Sequence, residues 1–240
     1  MHSANFESIK HGGRLLLPFY IPLVSALLNK YVSQIPLMDK LCLFQYIVAR
    51  PAGNKNEDYT VSVIVPARNE AGNIEGAVLR TPKMGKHTEI IFVEGNSTDN
   101  TKEEIKRVVA KYKNKDLTFL VQDGKGKGDA VRKGFDHAKG DILMILDADL
   151  TVPPEDLPKF YDAIASGKGE FINGTRLVYP MEKQAMRYIN LIGNKCFSLA
   201  FTWLLSQRLK DTLCGTKVLF KKDYERIKAA RHYFGDFDPF

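Results

Sequence analysis

The sequence predicts an α/β fold with a mostly parallel central sheet, and three observations carry that prediction. Four short apolar runs, Val61–Val65, Glu89–Val93, Leu117–Val121 and Ile142–Leu146, have the length and residue types of buried strands. Segments with helical apolar spacing separate them. Each run is followed by a polar cluster, and strands alternating with helices form right-handed βαβ units covered on both faces.

Taken in order, Val61-Ser62-Val63-Ile64-Val65 is a β-branched strand closed by Pro66. After the second strand, Ile105, Val108, Val109 and Tyr112 fall at i, i+3, i+4 and i+7 behind the capping-box-like Thr101-Lys102-Glu103-Glu104. Val131, Phe135 and Ala138 mark one face of the next helix, and Leu157, Phe160, Tyr161 and Ile164 that of a fourth, which begins near Pro154. Pro51–Asp58 is polar and reads as a linker between an N-terminal segment, 1–50, and the α/β domain, 59–240.

With 240 residues, 44% of them hydrophobic, the chain has enough apolar surface for a sizeable core. The net charge of +7 is spread along the sequence, which suits anionic partners in general. No nucleic-acid-binding motif accompanies it, so no nucleic-acid partner is expected. Cys42, Cys196 and Cys214 are far apart and odd in number, which argues against a zinc site or a disulfide framework and for a reducing cytoplasm. Leu15–Leu28 follows Lys10, His11 and Arg14 in the manner of a secretory signal. Pro18 and Pro22 interrupt it and no small-x-small site follows, so cleavage is not expected. No uninterrupted apolar run reaches about 18 residues, the length of a spanning helix.

Ligands in parallel sheets bind beyond the carboxyl ends of the strands. Four polar clusters stand there: Pro66-Ala67-Arg68-Asn69-Glu70, Glu94–Asp99, Asp123–Gly128 and Asp147-Ala148-Asp149. They are expected to converge on one rim. If the last strand continues, Asp147 and Asp149 point to the same face, half of a site for a hard cation such as Mg²⁺ or Mn²⁺ that takes its other ligands from phosphate and water. Read alone, the pair fits equally a turn or a cap for the helix near Pro154. Gly124-Lys125-Gly126-Lys127-Gly128 suits a pyrophosphate approached by backbone at a helix N-terminus, though it lacks the Walker spacing and a solvated turn explains it as well. Glu94 is placed to accept hydrogen bonds from a base or ribose, while Ser97, Thr98 and Asp99 fit a helix-entry loop. Arg68 and Glu70 fit a solvated turn or the shared rim.

Together, Val63-Ile64-Val65-Pro66-Ala67-Arg68-Asn69-Glu70, Val93–Thr101, Gly126-Lys127-Gly128 and Leu146-Asp147-Ala148-Asp149 resemble the nucleotide-sugar-binding half of glycosyltransferase family 2. Within that family the stretch Tyr59–Lys222 is most similar to the dolichyl- or polyprenyl-phosphate mannosyltransferase type. The resemblance implies a GT-A fold, a Rossmann-like βαβ sandwich, and sugar transfer with inversion from a UDP- or GDP-linked donor. It implies that Pro66, Arg68 and Glu70 line the nucleotide pocket and that Glu94, where aspartate is usual, meets the base. Lys127 and Asp129 would lie near the donor. Asp147 and Asp149 would hold Mg²⁺ or Mn²⁺ against the diphosphate, with Asp149 in a catalytic role and Thr151 as a further metal-side contact.

Asn173-Gly174-Thr175-Arg176 resembles the family's glycine-[Ser/Thr]-arginine element, so Arg176 is expected to contact phosphate in catalysis, with a structural salt bridge as the alternative. Asp211–Lys217 resembles the acceptor-side segment, with Cys214 packed rather than reactive. Gln184–Ser206 reads as an interfacial helix on a membrane or as an ordinary amphipathic core helix. The membrane reading fits a polyprenyl-phosphate acceptor, already anionic, and a site at the inner face of the membrane. Relatives that glycosylate a hydroxyl carry an acidic general base near or beyond Gly235–Phe240, so the resemblance implies a domain truncated at its C-terminal side. Leu43–Arg50 resembles the closing strand of a class I methyltransferase. The glycine-rich cofactor loop of that fold is missing, so residues 1–50 read as the remnant of a fused domain and methyl transfer is not expected. Two other functions fit parts of the pattern: a noncatalytic nucleotide-sugar-binding domain, and a sugar nucleotidyltransferase, whose glycine-rich first loop is replaced here by Pro66–Glu70.

Overall fold

The computed structural model describes residues 6–34, 38–51, 58–174 and 214–230. They fall into two compact units, one drawn from Met1–Ala52 and the other from Gly53–Ala200 and Leu209–Phe240. In the first, β1 (Phe6–Arg14) and β2 (Phe44–Pro51) pair antiparallel, with an irregularity between Ser8 and Lys10. Between them in sequence lies α1 (Val24–Lys30). The Asn29 side chain accepts from the Leu17 N–H at 2.9 Å and donates to the Leu17 carbonyl at 3.0 Å, tying the chain before α1 to the helix end.

The second unit holds β3 (Thr60–Ala67), α2 (Ile74–Arg80), β4 (His87–Glu94), α3 (Thr101–Lys111), β5 (Asp116–Val121), α4 (Lys127–His137), β6 (Ile142–Ile145), α5 (Leu157–Ala165), β7 (Phe171–Asn173), β8 (Lys217–Phe220) and α6 (Lys221–Ala230). The six strands form one sheet in the order β5-β4-β3-β6-β8-β7. β3 is parallel to β4 and β6, and β4 to β5, as the alternation of strands and helices predicts. β8 runs antiparallel to both β6 and β7, a feature the sequence pattern did not foretell.

Alternation along the strands builds a core on each face. Val61, Val63 and Val65 pack with Ile90, Phe92 and Met144 beneath α2, α3 and α5. Ile64 turns the other way, with Ile91, Val93, Leu143 and Ile145, and meets Ala130, Phe135 and Ala138 of α4. Between the strands, buried Ser62 donates its hydroxyl to Glu89 Oε1 at 2.5 Å, and the Lys139 N–H donates to the same oxygen at 2.6 Å. The Gly140 N–H donates to Ser62 Oγ at 2.8 Å. This polar knot fastens the turn between α4 and β6 to the starts of two strands.

Two local expectations change. Pro66 does not close β3, which runs on to Ala67 in register with Glu94. The backbone of Ile64 bonds toward β6 and that of Ala67 toward Gly95, so position 66 faces the side where β6 has already ended, and proline forfeits no ladder bond there. Nor is there a capping box at Thr101, because the helix cap is Asn100 and makes no side-chain bond. Instead Asp99 Oδ1 accepts from the Thr101 hydroxyl at 2.5 Å and the Thr101 N–H at 2.9 Å, which holds the Asp99 carboxyl below its usual range.

At the other edge, Gly174 donates its N–H to the Thr216 carbonyl at 2.9 Å, so the chain leaves β7 and enters β8 at neighbouring points. Among the described residues no helix is long and apolar enough to cross a membrane.

Candidate functional site

The strand order reverses between β3 and β6: β4 and β5 build outward on one side of β3, and α4 carries the chain back to the other. A crevice opens beyond the carboxyl ends of strands at such a switch point. There the structure has a cavity of about 240 Å³, and all four polar clusters expected on the rim contribute to it.

From the end of β3 come Pro66, Arg68 and Glu70. Asn69, at φ 57°, bends this loop back. Its N–H donates to Ser97 Oγ at 3.1 Å, and its side-chain oxygen accepts from the Thr98 N–H at 2.8 Å. Asparagine tolerates the left-handed region and bonds locally. The Glu70 N–H donates to Thr101 Oγ1 at 2.9 Å, and Asn73 Nδ2 donates to Glu70 Oε2 at 2.8 Å. The carboxylate is therefore oriented from behind.

β4 contributes Gly95 rather than Glu94. Glu94 is only 2% exposed, and its Oε1 accepts from the Ser97 N–H at 2.5 Å. The side chain expected to meet a base is folded into its own loop, because three residues further on the backbone turns back and presents an unsatisfied donor. Asp129, expected near the donor, likewise bonds within its own loop. Its Oδ2 accepts from the Gly124 N–H at 2.8 Å, which shapes the Gly-Lys loop, and it does not line the cavity. Gln122, missing from the sequence-derived set, does line it and donates to the Gly124 carbonyl at 3.0 Å. It sits one residue before the cluster that drew attention at Asp123.

Gly126, at φ 84°, turns the chain into α4 and places Lys127 at the first helical position. Lys127 and Ala130 line the cavity on that side. Across from them stand Asp147, Ala148 and Asp149. β6 ends at Ile145, so strand alternation does not hold the two aspartates together. A turn does: the Leu150 N–H donates to the Asp147 carbonyl at 3.0 Å, and Leu150 takes φ 53°. Asp149 Oδ1 accepts from the Thr151 N–H at 3.0 Å and the Thr151 hydroxyl at 2.8 Å. It caps its own turn, not the helical turn that starts at Pro154.

Lys127 Nζ pairs with Asp147 Oδ1. The carboxylate is held on its other side by Gly215, where an added Cβ would lie 1.9 Å from Asp147 Oδ2. Thus the segment before β8, expected to serve an acceptor, also forms the wall behind Asp147. Neighbouring Cys214 is fully buried, as its packed reading requires. Arg176 and Gln184–Ser206 lie outside the described residues.

Among the described residues no three His, Cys, Asp or Glu side chains gather into a cage for a cation. Two carboxylates on one cavity suit a magnesium- or manganese-type ion, which needs only one or two from protein when phosphate and water complete its shell. Gly215 packs so close to the Asp147 carboxylate that not even a methyl group fits between them.

The fold is of the GT-A type. It matches the mannosyltransferase PcManGT from Pyrobaculum calidifontis, solved with GDP-Man and Mn²⁺, at a TM-score of 0.51 and 20% identity over 74% of this chain and 50% of that one. It also matches glucosyl-3-phosphoglycerate synthase from Mycobacterium tuberculosis, solved with Mn²⁺, UDP and glucosyl-3-phosphoglycerate, at a TM-score of 0.52 and 19% identity over 72% and 63%. Residues 62–227 match the family described as Glycosyl transferase family 2, and the chain belongs to that family. Among curated relatives, an undecaprenyl-phosphate 4-deoxy-4-formamido-L-arabinose transferase of Shewanella sediminis is 30% identical over 59% of this chain and 43% of its own length. A dolichol-phosphate mannosyltransferase of Saccharomyces cerevisiae is 40% identical over 43% of this chain and 40% of its own length. The chain thus spans less than half the length of these relatives.

Proposed function

We propose that this chain is the donor-binding part of an inverting, metal-dependent glycosyltransferase that moves a sugar from a UDP- or GDP-linked donor to a polyprenyl phosphate at the cytoplasmic face of a membrane. The observation that carries the reading is the convergence of Arg68, Glu70, Lys127, Asp147 and Asp149 on one cavity at the switch point of the sheet. The curated relatives named for undecaprenyl- and dolichol-phosphate transfer support the acceptor class.

In this reading Pro66, Arg68 and Glu70 receive the nucleoside, and Gly126 and Lys127 at the start of α4 receive the diphosphate, where helix-end N–H groups and an ammonium favour negative charge. Asp147 and Asp149 would hold Mg²⁺ or Mn²⁺. When bound, the ion supplies neutralisation of charge on the departing nucleoside diphosphate. Glu94 and Asp129 act behind the cavity by setting the two loops that line it. A phosphate acceptor is already anionic at neutral pH, so the transfer asks little of a general base. Arg176 is the proposed phosphate contact on the acceptor side.

Calorimetry with UDP-, GDP- and dTDP-sugars in the presence of Mn²⁺ tests donor binding, and radiolabelled transfer to a polyprenyl phosphate tests the reaction. Asp147→Ala is expected to abolish metal-dependent donor binding and transfer. Full transfer by that variant with Mn²⁺ present, or no nucleotide binding by the wild type, overturns the proposal. Donor binding without transfer marks a noncatalytic binding domain.

A further inference from the structure

The Asp147 carboxylate already has a cationic partner: Oδ1 pairs with Lys127, while Oδ2 is packed close to Gly215. An ion approaching Asp147 meets a cation already in place. Lys127 is the more mobile partner, with its side chain 46% exposed against 18% for Asp147. It stands on a flexible four-carbon stem, beside a glycine at which an added Cβ would touch nothing within 4 Å. Asp147, by contrast, is walled by backbone.

We propose that Lys127 is the resident counter-ion of Asp147 and yields this carboxylate to the divalent cation when a nucleoside diphosphate is present to receive the ammonium. The inference rests on the metal and donor reading of the cavity and adds a coupling to it. Metal binding alone must break an ion pair and leaves the lysine without a partner. Metal together with diphosphate replaces both halves of that pair. The two ligands therefore bind cooperatively, each raising the affinity for the other by the same factor.

The test is Mn²⁺ binding followed by electron paramagnetic resonance, which counts free Mn²⁺ and requires no turnover. Lys127→Met, close in length and neutral, and Lys127→Arg, which keeps the charge, are compared with wild type, without nucleotide and with UDP or GDP. Without nucleotide, Lys127→Met is expected to bind Mn²⁺ roughly two- to fivefold tighter than wild type, in keeping with a half-exposed ion pair removed, and Lys127→Arg is expected to follow the wild type. With nucleoside diphosphate, the wild type gains more Mn²⁺ affinity than Lys127→Met does. Unchanged or weaker Mn²⁺ binding by Lys127→Met, while the wild type binds Mn²⁺ with UDP or GDP, overturns this inference alone. No Mn²⁺ binding by the wild type with either nucleotide overturns the metal-site reading beneath it.

Discussion

Replacing Gly215 with alanine is the sharpest test of how the site is held. The added methyl carbon would sit 1.9 Å from Asp147 Oδ2, 2.5 Å from Cγ and 2.6 Å from Oδ1. Carbon atoms of this kind essentially never come within 3.0 Å of a neighbour, so a separation of about 1.1 Å must be made up by movement of the carboxylate or the strand start. The position carries no left-handed backbone requirement, so the effect is steric. Groups that orient a metal ligand are typically worth about 10–100-fold in metal affinity, and the carboxylate leaves its place opposite Lys127 as it moves. We expect Gly215→Ala to keep the far-ultraviolet circular dichroism of the wild type and to lose roughly ten- to 100-fold in Mn²⁺-dependent UDP or GDP affinity by calorimetry. Gly72→Ala is the control, because a methyl group there touches nothing within 4 Å and it should bind as the wild type does. Binding by Gly215→Ala within about twofold of wild type would refute the argument that this glycine sets the Asp147 carboxylate, since twofold lies far below the effect of a misplaced metal ligand.

Glu89→Ala removes the acceptor shared by the Ser62 hydroxyl and the Lys139 N–H in a site only 2% exposed. Leaving buried donors unpaired costs roughly 1–3 kcal/mol per group, so a loss of about 3 kcal/mol is expected in urea unfolding, and a loss under about 0.5 kcal/mol would show that water or repacking satisfies them. Glu75 is held at a pKa of about 2, below its ordinary 4.5, by the Lys111 ammonium first, then the Tyr112 hydroxyl and Arg107. Its folded-state value is the lower one, so its stabilisation is complete above pH 4.5 and disappears as the pH falls toward 2. The stability difference between wild type and Glu75→Gln should shrink across that window and be smaller in high salt; a difference that stays flat with pH contradicts the assignment.

Much of the parallel core was legible, because Val61–Val65 and Ile142–Leu146 are apolar runs whose length and flanks admit little but buried strands. The edge was not. β7 has three residues and β8 four, too few for a period, and 43 residues separate them in sequence. At the site, position along the chain was read well and direction less well. Arg68, Glu70, Lys127, Asp147 and Asp149 line the cavity, whereas Glu94 and Asp129 turn inward to meet Ser97 and Gly124. A carboxylate beside a loop has two kinds of donor within reach, ligand and nearby backbone, and a one-dimensional pattern does not weigh them. The aspartate pair came out together for a reason other than strand alternation, since the turn through Leu150 takes over where β6 stops. Gly215 was legible only as part of the acceptor-side segment Asp211–Lys217, because what approaches it is Asp147, from the loop after β6.

The hydrogen bond from Gly174 to Thr216 brings the end of β7 beside the start of β8. Closing a connection between two points so close costs entropy that rises only with the logarithm of its length, so a longer connection costs the sheet little. An insertion made directly after Gly174 is therefore expected to leave the sheet order β3-β6-β8-β7 unchanged, and it stays clear of Gly215, the neighbour of Asp147.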